Sequence, residues 1–415
     1  MLTLALILAH ADRQVLNLMV DPVRHDLAIS DTQISLVQGA AFAIFYVVAG
    51  LPLGRAVDIF PRRNVLIFGV LAWSAATLAS GLAVSFGQLF VARIFVGAGE
   101  SALLPAACSL LADIFPPTRR GTAIGIFLLG TALGGAAGNL IGGLLLQLVA
   151  AHAFAGIPWL AGMAAWRVVF VTISWPGLLV VALLLTIREP KRERAPGAVR
   201  APMSRVAADF RERAAVLLPI YAALAFTAMS SIALVAWGPA LLSRKLGQSS
   251  GEIGATIGTI GIFTGIAGAV GGGMVGDLVT RRWGPPARLA MAAAISLIAI
   301  PGALTGLATE AWQVYLMIAL TYFATSVTGG ASVTALQDVC SEEIRGLASS
   351  AIAIATTLLG VGLGPTLVAL TTEHVLHDHA AVGWAITIVA APTSALATLT
   401  LWLGHRAMLP DRKRV

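Results

Sequence analysis

Residues 54–63 read GRAVDIFPRR, and residues 273–282 read GMVGDLVTRR. Gly54, Asp58, Arg62 and Arg63 in the first stretch match Gly273, Asp277, Arg281 and Arg282 in the second, 219 residues further on. A second pair keeps the same order. ADIFPPTRRG at 112–121 and QDVCSEEIRG at 337–346 each hold an Asp seven residues before an Arg, Asp113 with Arg120 and Asp338 with Arg345, 225 residues apart. Two unrelated signatures recurring in one order at nearly one offset mark an internal duplication.

Composition says what kind of chain was duplicated. It is 58% hydrophobic and 11% charged, with 43 glycines, whereas a soluble domain is about 25% charged. The mean hydropathy is +0.87. Apolar runs near the length that spans hydrocarbon recur twelve times: 1–20, 34–57, 64–84, 87–111, 121–149, 167–187, 215–238, 252–277, 287–308, 311–337, 346–371 and 381–404. The expected fold is therefore an all-α polytopic membrane protein, with twelve transmembrane helices in two homologous six-helix bundles. Residues 1–187 form the first bundle and 215–415 the second, joined by a basic cytoplasmic linker at 188–214. Six spans preserve orientation, so the halves are parallel repeats about an axis along the membrane normal, a secondary-transporter layout.

Basic residues set the orientation. The connections after spans two, four, six, eight and ten, with the C-terminal tail and Arg55, hold 21 of the 27 Lys and Arg. The other side holds Arg24, Arg167, Arg244 and Lys245. The positive-inside rule puts both termini in the cytoplasm. A pI of about 10.1 would also suit a nucleic-acid binder, but the charge is spread over inner loops, so no nucleic-acid partner is expected. The run REPKRERAPGAVR at 188–200 reads first as a charged linker and can also touch anionic lipid heads. Without a basic leader or a small-residue cleavage site, a signal peptide is not expected. The apolar run starts at Met1 itself, so a few cytoplasmic residues are expected ahead of it.

Neither enzyme nor pump chemistry is visible. Cys108 and Cys340 are too few for a disulfide framework and read as small buried hydrophobes. His374, His377 and His379 beside Asp378 follow no standard metal spacing, and no P-loop pattern occurs. No cofactor or metal is expected. In the loop 150–166, Trp159 and Trp166 read as interfacial anchors.

The first half carries charges at membrane depth. LILAHADRQVLNLMV at 6–20 holds His10, Asp12 and Arg13, and Arg93 and Glu100 stand seven apart in the fourth span. A charge at that depth costs about 2.5–3.5 kcal/mol or more unless it is paired or meets water. Asp12, Arg13, Arg93 and Glu100 sum to zero, and Arg93 and Glu100 project from the same side of one helix. His10 points about 200° from Asp12 and reads as a helix-packing histidine. Spans of the second half offer hydroxyls instead, among them Tyr221, Thr227, Ser230, Thr325 and Thr328. That asymmetry favours an amphipathic cargo, its head on the charged half and its tail along an apolar wall.

Each GxxxDxxxRR cluster reads as one side of a cytoplasmic latch, closed in one state of a two-state protein. Gly54 and Gly273 leave room for close helix approach, Asp58 and Asp277 pair or cap across the seam, and the arginines hold the loop inside. The Asp113/Arg120 and Asp338/Arg345 pairs belong to the same inner surface. Gly130, Gly134, Gly138 and Gly142 recur at every fourth position of span five, a ridge for close packing.

GRAVDIFPRR, RIFVGAGE at 93–100 and the doubled six-span layout resemble the major facilitator superfamily across essentially the whole chain. ADRQVLN at 11–17, with RIFVGAGE and ADIFPPTRRGTAIG, is more narrowly similar to the spinster-like branch, whose members are associated with movement of sphingoid and lysophospholipid species. Bacterial organic-anion/proton symporters also carry an Asp–Arg pair in the first span, so a small organic anion stays open as cargo. The resemblance implies that spans one and four line a central cavity. It then makes Glu100 first and Asp12 second as proton-responsive groups, and Arg13 and Arg93 anchors for an anionic headgroup. It also implies a monomer in a bacterial inner membrane, with membrane lipids and protons as partners.

Overall fold

The computed structural model describes residues 1–160, 162–190, 203–340 and 345–409, and every regular element among them is helical. Most of the basic run 188–200 lies outside the described residues. Eleven helices among them are long and apolar enough to cross a membrane. With the shorter N-terminal helix α1 (Leu2–Asn17) they are α2 (Asp31–Ile59), α3 (Arg62–Leu82), α4 (Phe86–Ile114), α5 (Pro117–Ala150), α6 (Ala165–Leu185), α7 (Ala214–Arg244), α8 (Ser250–Trp283), α9 (Pro286–Leu307), α10 (Ala311–Val339), α11 (Ser350–Leu376) and α12 (His379–Met408). The first apolar run differs from expectation: α1 stops at Asn17, and a separate short helix, Val20–Leu27, follows a turn.

By contacts the chain divides into two compact units. One contains Met1–Glu193, Ala236–Ile262 and Thr372–Ala380, and the other contains Arg194–Val235, Phe263–Thr371 and Ala381–Val415. This grouping is by proximity and differs in kind from the sequence repeat. The first unit takes in the end of α7, the start of α8 and the α11–α12 connection.

Small residues set the packing that matters for function. A Cβ on Gly134 would lie 2.7 Å from the Ile7 carbonyl oxygen and the His10 Cβ, and one on Gly138 2.7 Å from the Ala11 Cα. Gly130 and Gly142 meet Leu6 and Val15 in the same way, so the ridge of α5 receives α1 backbone to backbone. On α4, a Cβ at Gly97 would come 2.5 Å from the Phe42 carbonyl oxygen of α2, and one at Gly99 2.8 Å from the Trp73 nitrogen of α3. The two glycines of RIFVGAGE thus fix α4 between its neighbours. Regular α-helix in α4 ends at Glu100 and resumes at Leu103. Pro105 lacks an N–H and crowds the carbonyl four residues back, at Ser101, which places the irregularity directly after Glu100.

The second unit is apolar in its interior. Leu217, Ile220, Leu224, Leu289, Ala292, Leu336 and Leu401 form one buried cluster from α7, α9, α10 and α12. Several of its hydroxyls bond one another, Ser230 with Ser394 at 2.6 Å and Ser296 with Thr398 at 2.7 Å, whereas the Thr321 hydroxyl is buried without a hydrogen-bond partner.

Candidate functional site

The packing of α1 on α5, and of α4 between α2 and α3, brings the four buried charges together as two pairs. Arg93 Nη1 donates to Asp12 Oδ2 at 2.6 Å, and the Thr77 hydroxyl donates to the other oxygen at 2.9 Å. Arg13 reaches Glu100 Oε2 with two nitrogens, Nη2 at 2.5 Å and Nε at 3.0 Å. Asp12, Arg93 and Glu100 are 5%, 1% and 2% exposed. Arg13 is different: its side chain is 25% exposed, and its guanidinium lies 4.3 Å over Phe42 and 6.0 Å from Tyr46. Glu100 Oε1 and Arg93 Nε are buried without a hydrogen-bond partner. Asp12/Arg93 is thus the closed, dry pair, and Arg13/Glu100 has one accessible cation and one spare buried acceptor. His10 donates to the Leu6 carbonyl at 3.0 Å within α1.

At one end of the first unit, Arg62 is buried and pairs with both Asp113 and Glu189. Glu189 also accepts the backbone N–H groups of Arg62 at 3.0 Å and Arg63 at 2.9 Å, capping the start of α3. Arg63 adds a bond to the Ile187 carbonyl at 3.2 Å. Burial pushes the Glu189 carboxyl up, but hydrogen bonds from the Arg62 side chain and the two backbone N–H groups outweigh it and hold the carboxyl below its ordinary range. A carboxylate held low adds stability above its unfolded pKa, about 4.3, and loses it as pH falls through the lowered folded value. Glu189→Gln is accordingly expected to lower thermal stability at neutral pH by about 1 kcal/mol. The deficit should shrink in strong acid, and a deficit constant across that range in thermal unfolding would contradict the assignment.

In the second unit the corresponding Asp277 pairs with Arg288 at 3.0 Å, and Arg282 lies 5.2 Å over Trp283. Gly54 and Gly273 have nothing within 4 Å of an added Cβ, so the close approach expected at these glycines is not made here. Asp338 is exposed, and Arg345 opens the helix Arg345–Ala355.

At the opposite end of the first unit, Asp31 is wholly buried and collects three cationic or ionisable partners. Arg244 grips it with Nη2 at 2.8 Å and Nη1 at 3.0 Å, Arg24 Nε lies at 2.9 Å, and His379 Nδ1 at 2.7 Å. Arg244 also bonds Asp21 at 2.8 Å, and Glu373 accepts from the Thr32 backbone N–H at 3.2 Å and from its hydroxyl. Nearby, Asp26 accepts from Arg167 and from the Trp166 indole, each at 3.0 Å. Trp166 is therefore buried rather than interfacial, because its polar edge is satisfied inside; Trp159 is 57% exposed.

The comparisons with known proteins agree on what such a chain is. A sequence profile for the Major Facilitator Superfamily matches residues 2–365. The chain belongs to that superfamily. It is 27% identical over 408 residues to an MFS-type efflux pump of Mycolicibacterium smegmatis, covering 96% of this chain and 89% of that protein. A hexuronate transporter of Bacillus subtilis is 26% identical, with 90% and 87% covered. Among solved structures, a bacterial homolog of the human lysosomal transporter Spinster, captured inward-facing and unoccupied, superposes with a TM-score of 0.79 at 26% identity over 98% of this chain and 94% of that one. Within the superfamily, the protein stands close to the bacterial Spinster-like transporters. It is a multi-pass membrane transporter rather than an enzyme.

In this superfamily member the four charges singled out in the sequence form two pairs, and Arg62 of the first signature meets Asp113 of the second. Glu189 and Arg288 escaped sequence reading because each sits in a basic stretch read for topology alone. The Asp31 group escaped it too. Its signal was the scarcity of basic residues at that end: Arg24, Arg167 and Arg244 are three of the four there, each facing an Asp from the 21–31 segment.

Proposed function

We propose that this protein moves an amphipathic anionic lipid, of the sphingoid-phosphate or lysophospholipid kind, by alternating access, with protons coupled through Asp12, Arg13, Arg93 and Glu100. The observation that carries this reading is the inequality between the two buried pairs. Arg13 is the accessible partner, stacked on Phe42 and Tyr46 and bound to a carboxylate with a spare oxygen. An anionic headgroup arriving at Arg13 competes with Glu100 for the guanidinium. Glu100, left buried without its cation, then takes up a proton, since desolvation disfavours the charged form. Arg93, held to Asp12 at 2.6 Å, supplies the neighbouring charge against which this exchange takes place. Similarity to a Spinster homolog over nearly the whole chain agrees with the spinster-like resemblance, and it is that resemblance which implies a lipid-like cargo.

In this reading residues 1–187 and 215–415 are homologous six-helix bundles, twelve helices in all, linked by 188–214. The protein works as a monomer in a bacterial inner membrane with both termini cytoplasmic, as the basic-residue distribution supports. Gly54, Asp58, Arg62, Arg63, Asp113, Arg120, Gly273, Asp277, Arg281, Arg282, Asp338 and Arg345 form the cytoplasmic latch. The Asp31 group is the latch of the other face. A proton-coupled symporter of a small organic anion is the second reading, favoured by the likeness to a hexuronate transporter and by an Arg13 that suits any anion.

Proteoliposomes of purified protein decide between them. A labelled lysophospholipid is expected to move saturably and to respond to an imposed pH gradient, whereas Glu100→Gln should remove the gradient response and Arg13→Ala should abolish movement. Gradient-driven uptake of hexuronate with no lipid movement would overturn the lipid reading. A full pH response in Glu100→Gln would remove Glu100 from coupling.

A further inference from the structure

A groove of about 580 Å³ runs along the surface of the second unit between α9 and α12. Its floor is made of small side chains, Ala293, Ala294 and Ala395, and its flanks of Leu297 and Leu399, which are 52% and 48% exposed. Trp402 and His405 close one end. There His405 Nδ1 donates to the Pro286 carbonyl at 2.8 Å, tying the end of α12 to the start of α9. Just beyond, the Arg406 guanidinium lies 3.9 Å over the Trp402 ring. Arg406 is exposed and makes no ion pair among the described residues. Along the rest of the groove the lining is almost wholly apolar.

Length and charge together select the occupant. From Ala395 to His405 an α-helix rises about 15 Å, which is the hydrocarbon depth of one leaflet. A stripe of alanines between two ridges of leucine fits a single acyl chain. At the polar end, an indole suited to the headgroup level holds a guanidinium flat, as an anion-binding fork. A zwitterionic headgroup brings its own cation to that place; an anionic one does not.

We propose that the α9/α12 groove is a binding site for an anionic phospholipid of the leaflet at the His405 end, one acyl chain lying on Ala293, Ala294 and Ala395 and its phosphate held by Arg406. It is separate from the buried charges of the first unit and does not depend on what cargo they carry.

Fluorescence quenching of the full chain in nanodiscs tests it. Dibrominated phosphatidylglycerol and dibrominated phosphatidylcholine are titrated separately, and the Trp402 signal is taken as the difference between the wild-type chain and Trp402→Phe. Phosphatidylglycerol is expected to quench that component at a mole fraction about five-fold lower than phosphatidylcholine, the effect of one basic side chain near a membrane surface. Arg406→Ala should remove the preference while the apolar contact stays. Ala294→Leu, at an exposed position that the fold does not depend on, should fill the groove and reduce quenching by both lipids. Equal quenching by the two lipids, a preference that survives Arg406→Ala, or quenching unaffected by Ala294→Leu would each overturn the proposal.

Discussion

Arg93→Ala is expected to destabilise the protein by about 3–5 kcal/mol, the usual effect of removing one member of a buried ion pair. Asp12, 5% exposed, would keep the Thr77 hydroxyl as its remaining partner, too little to balance a charge away from water. The pair itself is a different matter. Attraction inside a protein roughly offsets the desolvation of two ions, so replacing both by apolar residues is often neutral or stabilising. Arg93→Leu combined with Asp12→Leu should therefore recover most of the loss. Thermal unfolding in detergent, followed by tryptophan fluorescence, measures both. A single variant as stable as the wild type, or a double variant no better than the singles, would show that the pair is not the dry unit described above. Transport should fail in the double variant even where stability returns, because the neighbouring Arg13/Glu100 pair then works beside no fixed charge.

Asp31→Asn is the second substitution with a large expected effect. Asp31 is wholly buried and is the shared anion for Arg24, Arg244 and His379. The amide keeps the shape and removes the charge, leaving two guanidiniums with only the half-buried Asp21 as a shared anion, 2.7 Å from Arg244 and 3.5 Å from Arg24. The group is then expected to come apart, at a loss to the assembled form of about 3 kcal/mol, which raises the opened population on the order of a hundredfold. Gln38, which bonds the Ala236 carbonyl at 3.3 Å and Asn17 at 3.0 Å, reports on it. In a background with Cys108 and Cys340 replaced by alanine, Gln38→Cys should react with a membrane-impermeant maleimide far faster when Asp31 is Asn. Equal labelling rates in the two backgrounds would mean that the Asp31 group does not hold that face shut.

Hydropathy and the duplicated signatures carry the membrane class, the helix positions and the family, because each is a local or periodic property. Hydrocarbon demands about 20 apolar residues in a row, and a run of that length is visible without knowing its neighbours. The same holds for Asp12, Arg13, Arg93 and Glu100. Ionised groups at membrane depth are too costly to leave unpaired, so their zero net charge already pointed to mutual neutralisation. The glycine spacing of α5 likewise announced a close helix contact, although not with which helix.

Which acid meets which base was invisible, and so was the difference between a sealed pair and an accessible one. Asp12 and Arg13 are adjacent in the chain yet turn about 100° apart on a helix, and their partners depend on how deep α1 sits on the α5 glycines and where Gly97 and Gly99 hold α4. Such depths are set by backbone contacts of ångström tolerance, which no periodicity encodes. Glu189, Arg288 and the Asp31 group were hidden for a related reason. Each is a polar residue near a helix end, where water would satisfy it equally well in isolation. Its role appears when another residue arrives beside it, whether from far along the chain, as Arg62 does at Glu189 and Arg244 at Asp31, or from the preceding helix, as Asp277 does at Arg288.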